Sequence, residues 1–164
     1  MARVDAAAEA VAESDSAPRE PVLDGYEVEG QVGFLLRRAV QRQTAIWLSC
    51  MAEGTGEKDL TPRQFTALVK VVQSGRVTQN QLGRLAAMDP ATIQGVVRRL
   101  LARGLVAGAP DPMDRRTIVL SATEAGAALA ARGVAHARRA TAETLAPLAP
   151  AERRTLLALL ARLA

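Results

Sequence analysis

The sequence predicts a mainly α fold that carries one small β hairpin, in the order α-α-α-α-β-β-α-α. Three observations predict it. Side chains suited to N-capping open successive amphipathic segments at Thr61, Thr78 and Asp89. Two short apolar runs then flank a loop that holds two prolines and a cluster of charges. Long stretches of helical period stand before and after this middle section. The 164 residues, 49% hydrophobic and 23% charged, suit one packed domain of the usual ~100–200 residues with room for a tail.

Residues 1–28 read as a disordered acidic N-terminal tail, rich in Ala, Glu, Ser and Pro and poor in large apolar groups. Residues 1–30 hold eight acids and two bases, so the formal charge of +4 divides into −6 there and +10 over residues 31–164. Ala7–Val11 is too short and too acidic for a signal peptide. No apolar run approaches the ~18–20 residues of a membrane span, so a cytoplasmic, reduced protein is expected, with no membrane partner.

Residues 29–164 form the folded part. Gln31 to Met51 is predicted as a helix that is apolar on several sides through Val32, Leu35, Leu36, Ala39, Val40, Ile46, Trp47 and Cys50. Such a helix is buried from several sides, which in so small a domain points to a subunit interface as well as a core. Glu53–Asp59 reads as a polar loop. Thr61-Pro62-Arg63-Gln64 is a capping box with Pro at N1, and Phe65, Leu68, Val69 and Val72 follow at helical spacing until Gly75. Thr78 to Gln81 is a second capping box, opening a short helix with Leu82, Leu85 and Ala86 inward. Asp89-Pro90 starts the next helix, whose apolar stripe is Ile93, Val96, Val97, Leu100 and Leu101, with Gly104 at C′. Only Ala87-Met88 separates these two, the spacing of a helix-turn-helix. Leu105–Ala107 reads as a strand, Gly108–Asp114 as a loop, and Arg116–Ala122 as a second strand with Ile118, Leu120 and Ala122 inward. A hairpin directly after a helix-turn-helix is a wing. Thr123 caps a long helix to about Ala146, Pro147 and Pro150 break it, and Ala151–Leu163 closes the chain with leucines on one side.

Composition excludes several functions. One Cys and one His allow neither an internal disulfide framework nor a Cys/His zinc cluster, and no nucleophile–base–orienter set is present, so neither an enzyme nor a metal or other cofactor is expected. Four aromatic residues are too few for a single-strand stacking platform.

The Asp89–Arg103 helix offers the opposite chemistry. Away from its apolar stripe lie Ala91, Thr92, Gln94, Gly95, Arg98 and Arg99, small or short polar residues first and arginines later. A helix entering a major groove needs this gradient, because a bulky first turn blocks access to base edges. Thr92 can meet a thymine methyl or a phosphate, Gln94 an adenine edge, and Arg98 a guanine or a phosphate. In the loop Asp111-Pro112-Met113-Asp114-Arg115-Arg116, one arginine can enter a minor groove while Asp114 holds a guanidinium in place, and the sequence does not say which of Arg115 and Arg116 does which. Thr78 and Gln79, at the start of the first short helix, complete the candidate DNA contacts.

The order of elements, the run from Ala91 through Val106, and Asp111-Pro-Met-Asp-Arg-Arg through Ala122-Thr-Glu-Ala-Gly126 resemble the MarR family of winged helix-turn-helix transcriptional regulators. The resemblance spans about residues 31–163, with Ala122 a departure where the family usually has Leu. It implies a homodimer joined through the first and last helices (residues 29–53 and 123–164), with residues 60–122 as the DNA-binding lobe. It also implies two recognition helices in successive major grooves of a pseudo-palindromic double-stranded operator, and repression relieved by a small aromatic or phenolic acid, as in catabolism of such compounds. Candidate ligand contacts are Arg38, Gln41, Arg42, Trp47 and His136, the arginines for a carboxylate and Trp47 as an apolar wall. Two alternatives stay open: a thiol redox sensor through Cys50, and a winged protein-interaction module that does not bind DNA.

Overall fold

The computed structural model describes residues 25–163, so most of the predicted acidic tail lies outside the described residues. After a single 3₁₀ turn at Val28–Gly30 come α1 (Val32–Thr55), α2 (Pro62–Ser74), β1 (Val77–Thr78), α3 (Gln79–Leu85), α4 (Pro90–Ala102), β2 (Val106–Pro110), β3 (Ile118–Ala122), α5 (Glu124–Thr144) and α6 (Pro150–Leu163). The fold is a winged helix, mainly α with a small antiparallel sheet in the order β1-β3-β2.

Caps fix where the helices begin. The Thr61 hydroxyl accepts from the Gln64 N–H while the Gln64 side chain accepts from the Thr61 N–H, and Thr78 and Gln81 repeat the arrangement. Gly56 and Gly75 end α1 and α2 with φ of 76° and 67°, backbone that side chains rarely adopt. The core joins α1, α2, α3, α4 and α5 around Met51, Leu60, Leu68, Leu82, Ile93, Leu100 and Leu129. Trp47 is buried against Phe65, ring centroids 5.2 Å apart, and its indole N–H donates to the Leu60 carbonyl at 2.7 Å. Arg139 of α5 joins Glu53 of α1 and Glu143, which ties the two long helices together at the end remote from Val32.

Several boundaries correct the sequence reading. The first helix continues past Met51 to Thr55, so the first three residues of the predicted 53–59 loop are helical; Glu53 also accepts bonds from Ser49 and Arg139. β1 was not expected. Its two residues pair Val77 with Leu120 and Thr78 with Val119, and a signal of that length is invisible as periodicity. The wing's first strand runs to Pro110 rather than stopping at Ala107. Proline is tolerated because β2 is an edge strand, where a missing N–H costs no ladder bond on the open side. On β3, Ile118 is 51% exposed, whereas Val119 and Leu120 are buried. Leu120 joins the main core, and Val119, on the opposite face, lies in a hollow bordered by Val77, Thr78, Pro112 and Met113, so adjacent residues are both covered; Ile118 rests on Gly108 at the wing end, outside the main core.

Candidate nucleic-acid interface

The helix-turn-helix is set by three local features. Gly83 is buried under Ile93 and the Met88 carbonyl, so α3 and α4 approach closely where a side chain would intervene. Ala87 adopts φ 51° in the turn, which costs about 1–2 kcal/mol for a residue with a Cβ, and the Met88 N–H returns to the Gly83 carbonyl at 2.9 Å. Asp89 then caps α4 twice: one carboxylate oxygen accepts from the Thr92 N–H at 2.9 Å, the other from the Thr92 hydroxyl at 2.6 Å. The hydroxyl bond, then the backbone bond, hold the Asp89 carboxyl below its ordinary value.

Those bonds refine the candidate contacts. Thr92 spends its proton on Asp89, leaving its methyl and oxygen lone pairs for a ligand. Ala91, Gln94 and Arg98 are exposed and lie at i, i+3 and i+7 on one face of α4. Arg99 is exposed but lies elsewhere: with Ala91, Thr92, Gly95 and Val96 it lines a cleft of about 740 Å³ against Val40, Gln43 and Thr44 of α1 and Thr61, Pro62 and Arg63 of α2. The predicted DNA face is thus two adjoining surfaces, one outward and one turned toward α1, with Ala91 at their shared edge. Leu101, predicted inward, is 41% exposed, because its place on the helix falls outside the Ile93–Leu100 stripe. Thr78 and Gln79 sit half-buried at the start of α3, with the Thr78 hydroxyl already engaged in the cap.

The wing tip is the loop 111–117, tied at both ends of its turn. The Asp111 N–H donates to the Thr117 carbonyl at 2.8 Å, and the Thr117 N–H to the Asp114 carbonyl at 2.9 Å. Asp114 does not hold a guanidinium. Its carboxylate accepts from the Arg116 backbone N–H at 3.0 Å and from the Thr117 hydroxyl at 2.9 Å, so the loop's own donors satisfy both oxygens. Arg115 and Arg116 are exposed and, among the described residues, in no ion pair. Arg103, by contrast, is paired with Glu57 from the α1–α2 loop. One basic residue escaped the sequence reading. Arg76, exposed between α2 and β1, lines a hollow of about 330 Å³ shared with Thr78, Gln81 and the wing residues Asp111, Pro112 and Met113. Its available signal was a lone cation just before a capping box.

The predicted ligand contacts do not converge. Arg38 and Trp47 are nine residues apart, about 180° around a helix of 3.6 residues per turn. Trp47 is buried, while Arg38, Gln41 and Arg42 are exposed, and the guanidinium groups of Arg37 and Arg38 lie over the Phe34 ring, 5.2 and 5.8 Å from its centroid. His136 packs on Gly54 of α1, so closely that a Cβ there would overlap the imidazole. Trp47 instead borders a groove of about 460 Å³ with Phe65, Val69 and Lys70 of α2 and Val134 and Arg138 of α5. Cys50 is fully buried, and burial first, then the nearby Glu143 charge, push its thiol up. A thiol in that state lacks the exposed thiolate on which a peroxide sensor depends.

The profile of the MarR family matches residues 58–117. Over 148 residues the chain is 39% identical to the HTH-type transcriptional repressor NicR of Pseudomonas putida, covering 89% of this chain and 91% of NicR. A probable transcriptional regulator from Pseudomonas aeruginosa superposes with a TM-score of 0.75 at 47% identity, over 84% of this chain and 100% of that one. BpsR of Bordetella bronchiseptica, whose structure addresses regulation of its DNA binding by 6-hydroxynicotinic acid, superposes with a TM-score of 0.75 at 36% identity, over 85% of this chain and 97% of BpsR. These relatives are transcriptional regulators and not enzymes, and with that extent of shared sequence and fold the chain belongs to the MarR family.

Proposed function

We propose that this chain is a dimeric, sequence-specific repressor that binds a pseudo-palindromic operator in double-stranded DNA and is released by a small aromatic acid. The observation that carries the DNA reading is the pairing of an outward Ala91–Gln94–Arg98 face on α4 with a tied wing whose Arg115 and Arg116 have no acidic partner among the described residues. A helix with short residues in its first turns enters a major groove, and cations on an adjacent hairpin tip suit the minor groove beside it. In a dimer the half-sites lie about 10 bp apart or a multiple of that. Gel shift on the chain's own upstream DNA tests this; no shift at low salt would overturn it.

The effector reading rests on the Trp47 groove. Its floor is apolar and aromatic, its rim carries Lys70 and Arg138, and no acid among the described residues lines it. A flat ring with a carboxylate matches that chemistry, and the similarity to BpsR supports the class. The groove lies between α1 and α5 on one side and α2 on the other, so a ligand bound there acts on how the DNA-binding lobe sits against the long helices. It releases DNA only to the extent that it prefers the DNA-free arrangement. Thermal shift with 6-hydroxynicotinate and benzoate should show stabilisation that the double variant Lys70→Ala/Arg138→Ala loses and Arg38→Ala keeps. The reverse pattern would move the effector to the α1 arginines.

A further inference from the structure

Met113 is the wing residue that the arginine chemistry leaves unexplained. It is 94% exposed, more than any other large hydrophobic residue among those described, and stands at the apex of the wing. Most of the other such residues fall on α1 and α6, and Met113 is remote from both in sequence. Its position is imposed rather than left to a slack loop. The Asp111 carboxylate accepts from the Met113 N–H at 3.0 Å, Asp114 holds the Arg116 N–H, and two backbone bonds close the turn beneath. Pro110 and Pro112 remove further freedom from the approach. One exposed apolar side chain is common on a protein surface, but this one is held out on a stiffened tip, two residues from a pair of arginines with no acidic partner among the described residues.

We propose that Met113 is an apolar wedge that seats in the minor groove of the operator, against deoxyribose and the edge of a base step, while Arg115 and Arg116 engage the surrounding negative potential. This rests on the DNA-binding reading above. The thioether is long, unbranched and polarizable, suited to a narrow apolar slot, and insertion of Met or similar side chains at minor-groove steps is a known means of reading DNA deformability. The wedge therefore contributes to shape selection and carries no charge.

That last property makes it testable on the full-length protein with its operator fragment. Met113→Ala and Met113→Gln should each weaken binding about tenfold, the scale of uncovering part of one Met side chain, and Met113→Leu should restore it to within about twofold. The slope of log affinity against log salt should not change in any of the three, whereas Arg115→Ala or Arg116→Ala should flatten it. Peroxide footprinting read by mass spectrometry gives a direct contact measure. Met113 should oxidise readily in the free protein and be protected by operator DNA, while buried Met51 stays unoxidised in both. Wild-type affinity in Met113→Ala, or undiminished oxidation of Met113 in the complex, overturns the wedge alone. A wild-type protein that binds no duplex overturns the regulator reading with it.

Discussion

At the scale of single residues, the structure turns on a few side chains that hold backbone. Asp89 is the most informative, since it fixes the start of α4 through two bonds to Thr92. Its folded carboxyl lies below the ordinary value of about 3.9. The sign follows: the stabilisation is fully present above that ordinary value and is lost as pH falls through the lower, folded one. Asn also caps helices but does not titrate there. Asp89→Asn should therefore lose less stability than the wild type between about pH 5 and pH 2, measured as urea midpoints; parallel curves would show that the cap does not titrate as argued. Gly126 is a steric counterpart. It lies in the first turn of α5, directly against the Leu105 carbonyl, where a Cβ would overlap backbone that has no rotamer to yield. Gly126→Ala should cost at least about 1–3 kcal/mol in unfolding free energy, and a neutral result would mean that the α4–β2 junction can shift freely.

At the scale of elements, the question is how α4 is tied to the rest of the molecule. Its N-terminus is held by Asp89 and its C-terminus by the Arg103–Glu57 pair, which reaches from the end of α4 to the loop that leaves α1. A partly exposed pair of this kind is worth about 0–1 kcal/mol, and its charge is already neutralised. Arg103→Ala should thus change stability by less than about 1 kcal/mol and leave the salt dependence of DNA binding unaltered, in contrast to Arg98→Ala, which should flatten it. Equal flattening by both would place Arg103 on DNA. The same elements show what the sequence made legible. Helix starts were clear because capping is local chemistry: Thr61, Thr78, Asp89 and Thr123 each cap in the structure as their sequence neighbours indicate. Strand detail was not, because β1 exists only through pairing with β3 and the burial of Val119 depends on neighbours distant in sequence. The outward face of α4 was legible from period alone. That Arg99 turns toward α1, that Arg103 meets Glu57 and that Trp47 shares a groove with Lys70 and Arg138 are tertiary facts with no local trace.

At the scale of the whole molecule, the exposed apolar surface points to a second copy. Val32 is 64% exposed and Leu163 73%, with Leu35, Leu36, Val40, Leu157, Leu159 and Leu160 also uncovered on α1 and α6, and α6 has no buried residue among the described ones. Apolar faces of that extent on both terminal helices call for a partner surface, and a self-complementary one gives a twofold dimer. The thermal midpoint of the wild type should then rise with protein concentration, because dimerisation is part of folding stability. Leu157→Glu/Leu160→Glu, which places charges at i and i+3 on α6, should remove that dependence and halve the mass in sedimentation. The dimer also sets the size of the electrostatic term. If Arg98, Arg115 and Arg116 of each protomer meet phosphates, about six contacts give a slope near −5 in log affinity against log salt at ~0.9 per contact, and a monomeric variant about half that. A wild-type slope already at the half value would mean that only one protomer reaches DNA. The twofold operator, rather than the wing, would then be the feature to abandon.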